Sequence, residues 1–191
     1  MRLHFSKVTE DNLKELFPIL LEEHNPIWKE LYQEERDFLQ TIFGDNIIRI
    51  NHIGSSAVVG LIAKPTIDIL LEVSDVTDIQ SITERMKDEG YIVNTPKNDV
   101  IMYLKGYTPD GFQGQAVHIH VRHCGDWGEL YFRDYLISHP DAAEEYAKLK
   151  LNLKERYTYD RDGYTDAKGQ FVIEHTDRAR EEFANKYTPV Q

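Results

Sequence analysis

A single carboxylate interrupts the most apolar segment of the chain, and it limits what the surrounding structure can be. Residues 65–73, Pro-Thr-Ile-Asp-Ile-Leu-Leu-Glu-Val, have the length and the β-branched content of a buried strand. Asp68 lies inside this segment. An ionised side chain is costly in such a strand unless it is exposed at a cleft, paired, or bound to a metal ion. The segment therefore predicts a strand in which Asp68 either belongs to a site or has a structural partner.

A turn upstream of this strand has the composition of a phosphate-binding loop. A β-rich segment leads into Gly54, Ser55 and Ser56 at the start of a short helical turn. Backbone N–H groups and a hydroxyl at such a position can bind phosphate oxygens, and Lys64 can reach a phosphate or pair with Asp68. The alternative is that the turn only begins a helix and that Lys64 and Asp68 form a structural pair. Because the elements converge on one strand-turn-strand unit, together they favour a site.

Two histidines form a second candidate cluster. In the segment Val-His-Ile-His-Val, strand alternation puts His118 and His120 on the same side. If this strand lies beside the Asp68 strand, an Asp/His/His cluster forms that can hold a divalent metal ion. Imidazole favours Zn²⁺, Mn²⁺ or Fe²⁺ over Mg²⁺. The alternative is that both histidines line the polar face of a sheet, while His123, on the opposite face, is structural.

The remaining patterns alternate between strand and helix signals. They predict an α/β (α+β) protein with a small mixed central β-sheet flanked by N- and C-terminal helices. With no internal repeat and no linker, we expect one domain over residues 1–191, with residues about 126–191 as its helical C-terminal part. The predicted helices are 26–43, 77–89, 129–138, 140–157 and 164–187, the predicted strands are 47–53, 65–73, 91–94, 99–105 and 115–123, and a turn is predicted at 109–111.

Several sequence blocks, taken in order, resemble the GrpB family across nearly the whole chain. They are His52–Val58, Lys64–Leu71, Trp28 with its helix, Phe132–Leu136, Tyr146–Lys150, and Tyr164 with Lys168 and Phe171. The resemblance implies a nucleotidyltransferase-like fold, in which a Gly-Ser turn precedes a strand bearing two metal-binding acids and a neighbouring strand bears a third. It also implies that Asp68 is catalytic and that the phosphate- or nucleotide-binding residues are Gly54, Ser55, Ser56, Lys64, Arg133 and Lys150.

The basic residues of the helical part can bind phosphate, or they can be structural or surface residues. The Arg133 guanidinium can bind a phosphate through two of its N–H groups. The structural alternative is an ion pair between Arg133 and Asp134. Lys150 and Lys168 are surface lysines unless their helices fold over the sheet. The resemblance supports that placement for Arg133 and Lys150, and less so for Lys168.

The acid pattern departs from the one that the resemblance implies. Nucleotidyl transfer ordinarily uses two carboxylates two residues apart on one strand face to hold Mg²⁺. The residue two positions after Asp68 is Leu70, and Glu72 lies about 13 Å along the strand, too far to share an ion with Asp68. The sequence therefore weakens the expectation of ordinary two-metal chemistry.

Composition limits the partners. The chain has 22 basic and 33 acidic residues, a net charge of −11, so we expect no duplex nucleic-acid partner. Cys124 is the only cysteine, which excludes an intramolecular disulfide. The absence of a long apolar run predicts no membrane partner and a cytoplasmic location. The oligomeric state is left open.

Three functions fit these observations. The first is nucleotidyl transfer from ATP or another nucleoside triphosphate to a small molecule or a protein, with Mg²⁺, Mn²⁺ or Zn²⁺ held by Asp68, His118 and His120. The second is a nucleotide-binding module that has lost catalysis, for which the missing second carboxylate argues. The third is an accessory domain connected with coenzyme A metabolism, since GrpB-like domains resemble ones fused to a kinase of that pathway.

Overall fold

The computed structural model describes residues 10–94 and 101–189. These residues form seven α-helices and one five-stranded sheet. The helices are α1 Glu10–Leu16, α2 Ile27–Phe43, α3 Ile79–Asp88, α4 Gly128–Ser138, α5 Pro140–Tyr157, α6 Arg161–Ala167 and α7 Gly169–Glu182. The strands are β1 Ile47–Ile53, β2 Thr66–Val73, β3 Ile92–Asn94, β4 Ile101–Thr108 and β5 Gly111–His123. The predicted α+β class, with a mixed central sheet between N- and C-terminal helices, is confirmed.

The sheet has the strand order β1-β2-β5-β4-β3, with β2 and β5 parallel at its centre. All other neighbouring strands are antiparallel. The parallel register pairs Asp68 with His118 and Leu70 with His120. Because neighbours in register point to the same side of a sheet, Asp68 and the two histidines share one face.

Alternation gives the sheet two different faces. On one face, Ile67, Ile69, Val117 and Ile119 are almost completely buried in the main core beneath α2 and α3. The opposite face holds Asp68, and we call it the site face. Apolar contacts such as that of Leu70 with Leu130 of α4 attach the C-terminal helices to it. The polar side chains of the site face therefore lie between the sheet and the C-terminal helices.

The β4–β5 hairpin carries the predicted turn at 109–111. Thr108 pairs with Gly111 at its end, and β5 begins at Gly111. β5 therefore begins four residues before its predicted start at residue 115. The first two residues of the strand predicted at 99–105 lie outside the described part of the chain.

The predicted single helix over 164–187 is wrong, because two helices occupy this region. Asp160 caps α6 by accepting a hydrogen bond from the Gly163 N–H at 2.9 Å, so α6 begins at Arg161, three residues before the predicted start of the helix at residue 164. The chain then turns at Lys168 before α7 begins. This break lets Tyr164 of α6 pack in a cluster with Ile19 and Leu153, while α7 packs on α4.

None of the helices in the described part of the chain is both long enough and apolar enough to span a membrane.

Candidate functional site

Three potential metal ligands converge at the centre of the site face. His118 Nδ1 lies 3.0 Å from Asp68 Oδ1, and His120 Nε2 lies 3.8 Å from the same oxygen. One ligand atom from each residue lies within 4.8 Å of the other two. The structure therefore brings together the three residues that the sequence had assigned to separate segments, and we call them the Asp/His/His cluster.

A chain of two hydrogen bonds orients His118 from the edge of its ring opposite Asp68. Tyr107 Oη lies 2.7 Å from His118 Nε2, and Arg161 donates to Tyr107 Oη at 3.2 Å. In the tautomer whose Nδ1–H donates to Asp68, Nε2 accepts a hydrogen bond from the Tyr107 hydroxyl. In the other tautomer, Nε2–H donates to Tyr107 and the Nδ1 lone pair faces Asp68, as binding of a metal ion beside Asp68 requires. A second hydrogen bond of this kind commonly fixes the orientation and tautomer of a histidine that binds a metal.

The charge states of the cluster suit a cation. Burial opposes ionisation of Asp68, but the hydrogen bond from His118 and the nearby imidazole of His120 outweigh it and hold the pKa of the carboxyl below its usual range. Burial lowers the pKa of His118, and the neighbouring Asp68 offsets this only in part. At neutral pH the pair is therefore a carboxylate beside a neutral imidazole, which are the forms that bind metals.

The donor set fits a divalent transition metal. One carboxylate oxygen and two imidazole nitrogens suit Zn²⁺, Mn²⁺ or Fe²⁺ better than Mg²⁺, whose sites are built from oxygen ligands. Three protein ligands leave room for a phosphate oxygen or a water molecule.

The Gly54 turn lies directly against this cluster. Gly54 has a φ of 71°, and a β-carbon there would lie 2.7 Å from Asp68 Oδ2. The turn that follows, Ser55–Ala57, is a single 3₁₀ turn, too short to supply a helix dipole. Ser55 is half-buried. Ser56 is buried and donates to the Thr66 carbonyl at 2.7 Å, so its hydroxyl points away from the site.

Four cationic side chains, which we call the cationic cluster, lie beside the Asp/His/His cluster: Lys64, Lys150, Lys168 and Arg161. Burial lowers the pKa of Lys64 to about 7, with repulsion by Arg161 and Lys168 adding to it. Burial and repulsion by Lys168 and Lys64 lower the pKa of Lys150 to about 7. Burial lowers the pKa of Lys168 to about 8, although Asp68 acts in the other direction. An anionic ligand would relieve the repulsion among these groups.

The members of the cationic cluster have different partners. The buried Lys150 donates to Ser55 Oγ at 3.1 Å and to the Ile62 carbonyl. Lys168 lies over the Tyr164 ring, 4.5 Å from its centroid. Among the described residues, Lys64 has no hydrogen-bond or ion-pair partner for its ammonium. Lys64 is therefore the member most available to an anion.

Arg133 lies apart from this arrangement. Its guanidinium donates to Asp134, to the His52 carbonyl at 2.9 Å and to Tyr187 Oη at 2.9 Å. It also donates to Asn51 Oδ1 at 3.2 Å. These contacts are those of a structural residue that ties α4 to β1, as in the ion-pair alternative to phosphate binding.

Glu72, the other acid of β2, is engaged elsewhere. Its fully buried carboxylate accepts hydrogen bonds from Arg49 and from the Gly125 N–H. Leu70 is completely buried between Asp68 and Glu72. No second carboxylate therefore stands beside Asp68 on this strand, and the two histidines of β5 occupy the neighbouring positions instead.

A cavity of about 240 Å³ opens beside the cationic cluster, where β2 and β5 begin. Lys64 and Arg161 form part of its wall, so the cavity and the cluster share side chains. The rest of its lining includes Pro18, Leu20 and Phe112. It combines an apolar surface with two basic residues and one acidic residue, Glu22.

Sequence reasoning missed two residues of the site, Tyr107 and Arg161, and undervalued Lys168. Tyr107 lies on β4 and Arg161 begins α6, so neither belongs to a motif around Asp68. The period-2 pattern of β4 would place Tyr107 on the face opposite the site, and the register shift between Lys105 and Tyr107 is what brings it to the site face. No local signal marks Arg161 or Lys168, because their proximity depends on how α6 and α7 pack.

Comparisons with known proteins identify the family of the chain and a solved structure with the same fold. The family model described as GrpB protein matches residues 18–178. The glutamate-rich protein GrpB of Alkalihalophilus pseudofirmus is 35% identical over 161 residues, which cover 82% of this chain and 92% of that protein. The crystal structure of the conserved protein GrpB from Enterococcus faecalis superposes with a TM-score of 0.76 at 26% identity, covering 86% of this chain and 99% of that one.

Other relatives are longer than the region they share with this chain. The UPF0157 protein YqkA of Bacillus subtilis is 35% identical over 152 residues, which cover 78% of this chain but 43% of that protein. A dephospho-CoA kinase of Mycolicibacterium paratuberculosis is 26% identical over 176 residues, covering 79% of this chain and 43% of that protein. The chain thus spans less than half the length of these two relatives.

Proposed function

The chain belongs to the GrpB family, and from this premise we propose that it binds a nucleotide or another phosphate-bearing small molecule together with a divalent metal ion, and transfers a nucleotidyl group. The observation that carries the proposal is the convergence of Asp68, His118 and His120 beside four cations and a Gly-Ser turn. The distant kinase relatives support a nucleotide-related role.

The metal would be held by Asp68, His118 and His120. A bound divalent ion polarises phosphoryl oxygens and neutralises charge that develops on them. Tyr107 and Arg161 would keep His118 oriented with its Nδ1 toward the ion. Asp68 is the catalytic residue of this proposal because it is the only carboxylate of the cluster.

The phosphates would be bound by the cationic cluster. Lys64 and Arg161 face the cavity, and Lys150 reaches the Ser55 hydroxyl of the turn. In a partly buried site such charges act more strongly than in water. The apolar wall of the cavity would contact the remainder of the ligand, such as the base of ATP or of another nucleoside triphosphate.

A second function, ligand binding without catalysis, is favoured by one observation. Glu72 is committed to Arg49 and Leu70 is buried, so the second acid of two-metal transfer is missing from β2. Relatives of this chain are named dephospho-CoA kinase, so a module that binds without catalysis would act as an accessory module in coenzyme A metabolism. Release of pyrophosphate separates the two, since a binding module would release none with any divalent ion.

A thermal-shift titration tests the proposed binding. The four ribonucleoside triphosphates would each be added with Mg²⁺, Mn²⁺ or Zn²⁺ to the wild type, to Asp68→Asn and to Asp75→Asn. Asp75 is a matched control, because it also faces a histidine, His123, at 3.2 Å, but is exposed and outside the site. A ligand at a hundred times its Kd stabilises the native state by about 2.7 kcal/mol.

We expect a shift that requires both nucleotide and metal, persists in Asp75→Asn and disappears in Asp68→Asn. An equal shift in Asp68→Asn would contradict the metal assignment. No shift with any pair would contradict nucleotide binding.

A further inference from the structure

A serine and a buried lysine face each other at the edge of the site. Lys150 of α5 is 2% exposed, and its Nζ lies 3.1 Å from Ser55 Oγ. Ser55 itself is half-buried, and the Tyr146 hydroxyl, one turn earlier on α5 than Lys150, lies beside it. The Ile62 carbonyl accepts a second hydrogen bond from the lysine and holds its amine in place.

We propose that Ser55 is a nucleophile and Lys150 its general base, and that Ser55 accepts a phosphoryl or nucleotidyl group from a phosphoanhydride. This inference rests on the proposed function for the identity of its electrophile, a phosphate-bearing ligand. The pairing of hydroxyl and buried amine does not depend on the metal.

The charge state of Lys150 is compatible with this role. The titratable groups that face its amine are Lys64 ahead of β2, Lys168 after α6, and Tyr146 on its own helix. Burial and the two lysines hold its pKa at about 7, so a large fraction is neutral at physiological pH. A neutral amine carries the lone pair that can accept the proton of Ser55.

The neighbouring serine gives a contrast within the same turn. Ser56 is 3% exposed and donates its proton to the Thr66 carbonyl. A hydroxyl that is buried and already committed to a carbonyl has no path to an external electrophile. Ser55, by contrast, combines access with an adjacent base.

The step is balanced as follows. Ser55 Oγ attacks the phosphorus atom, and its proton moves to the lone pair of Lys150. The new O–P bond forms while the P–O bond of the anhydride breaks. The leaving group, a nucleoside diphosphate in phosphoryl transfer or pyrophosphate in nucleotidyl transfer, departs with the bonding electron pair, and Lys150 is left as an ammonium ion. Lys64 and Lys168, which lie near Lys150, would stabilise the negative charge that develops on the leaving group.

A fluorophosphonate probe tests the serine and its base without nucleotide or metal. The probe has an electrophilic phosphorus with a fluoride leaving group, and labelling in EDTA would be followed by intact mass and peptide mapping. The proteins are the wild type, Ser55→Ala, Lys150→Met, Lys150→Arg and Lys148→Met. Lys148 is a matched control because it lies on the same helix, exposed and paired with Glu144.

We expect one label on Ser55 of the wild type and of Lys148→Met, at a rate that rises with pH and levels off above about pH 8, as Lys150 loses its proton. Both Lys150 variants should label at least 100-fold more slowly, with circular dichroism confirming that they fold. Lys150→Arg keeps a positive charge but supplies no base, so it separates base catalysis from charge.

An unlabelled Ser55 in the wild type would overturn the proposal, as would equal labelling of Ser55 in a folded Lys150 variant. A rate that does not change between pH 6 and pH 8 would also overturn it. Because the probe needs no metal, labelling at Ser55 can succeed even where the nucleotide titration fails. The experiments can therefore contradict the proposed nucleotide binding without contradicting the proposed role of Ser55, and the reverse.

Discussion

At the scale of single residues, Gly54 is restricted both by its backbone conformation and by its close contact with Asp68. Its φ of 71° is unfavourable for any residue with a β-carbon, and the space that a β-carbon would occupy is taken by Asp68 Oδ2 at 2.7 Å. Gly60 offers a comparison a few residues away, because it has a φ of 81° but nothing within 4 Å of a built β-carbon.

The pair Gly54→Ala and Gly60→Ala separates backbone strain from the clash with Asp68. We expect both variants to lose about 1–3 kcal/mol of unfolding free energy from the positive φ, with Gly54→Ala toward the upper end because its ψ of −173° is populated almost only by glycine. Gly54→Ala should lose about 1–3 kcal/mol more from overpacking and should bind Zn²⁺ or Mn²⁺ at least tenfold more weakly, because Asp68 must move. Urea unfolding and metal titration give the two quantities, and equal behaviour of the two variants would contradict the contact.

The residues around Asp68 also show what a sequence can predict of a site. Strand alternation put His118 and His120 on one face, and an unpaired carboxylate in an apolar strand marked Asp68. The first inference depends on the period of a strand and the second on the cost of burying a charge. Arg161 could not be found in this way, because its contact with Tyr107 joins residues 54 positions apart through the packing of a helix on the sheet.

At the scale of elements, the site depends on the parallel pairing of β2 with β5. That pairing requires a crossover, and the sequence predicted the strands without predicting their order. The helices were predicted well where an apolar stripe runs between a clear start and stop, as in α2, which ends at Gly44. The break between α6 and α7 was not predicted, because burial of Tyr164 and packing on α4 decide it rather than local propensity.

An ion pair between a half-buried arginine and a fully buried glutamate joins the edge of the sheet to the loop before α4. Arg49 of β1 lies beside Glu72 of β2 and also donates to the Gly125 carbonyl at 2.7 Å. Its guanidinium lies 5.3 Å from the centroid of the Tyr187 ring. Glu72 is completely buried, so its carboxylate depends on these partners.

Arg49→Met should therefore destabilise the fold strongly. Leaving a buried carboxylate without its cation costs about 3–5 kcal/mol, and replacing both partners in Arg49→Met/Glu72→Leu should recover most of that loss. Arg178→Met is the control, because its exposed pair with Glu174 contributes no more than about 0.5 kcal/mol. Urea unfolding compares the variants, and a loss in Arg49→Met no larger than in Arg178→Met would contradict the role of this pair.

At the scale of the whole molecule, an acidic protein surrounds a local concentration of positive charge. The net charge of −11 opposes association with duplex nucleic acid over long distances. Lys64, Lys150, Lys168 and Arg161 nevertheless lie together beside Asp68. Composition could predict the first property but not the second, because three of the four cations come from the helical C-terminal part, far along the chain from the Asp68 strand. This charge distribution fits a small anionic ligand.

The most direct test of this account is the metal content of the purified protein after equilibrium dialysis against Zn²⁺ or Mn²⁺. Elemental analysis would compare the wild type with Asp68→Asn, with His118→Ala/His120→Ala and with the control Asp75→Asn. The account predicts one tightly held ion per chain in the wild type and in Asp75→Asn, and none above background in the two site variants. Equal metal content in the wild type and the site variants, or no bound ion in the wild type, would contradict it.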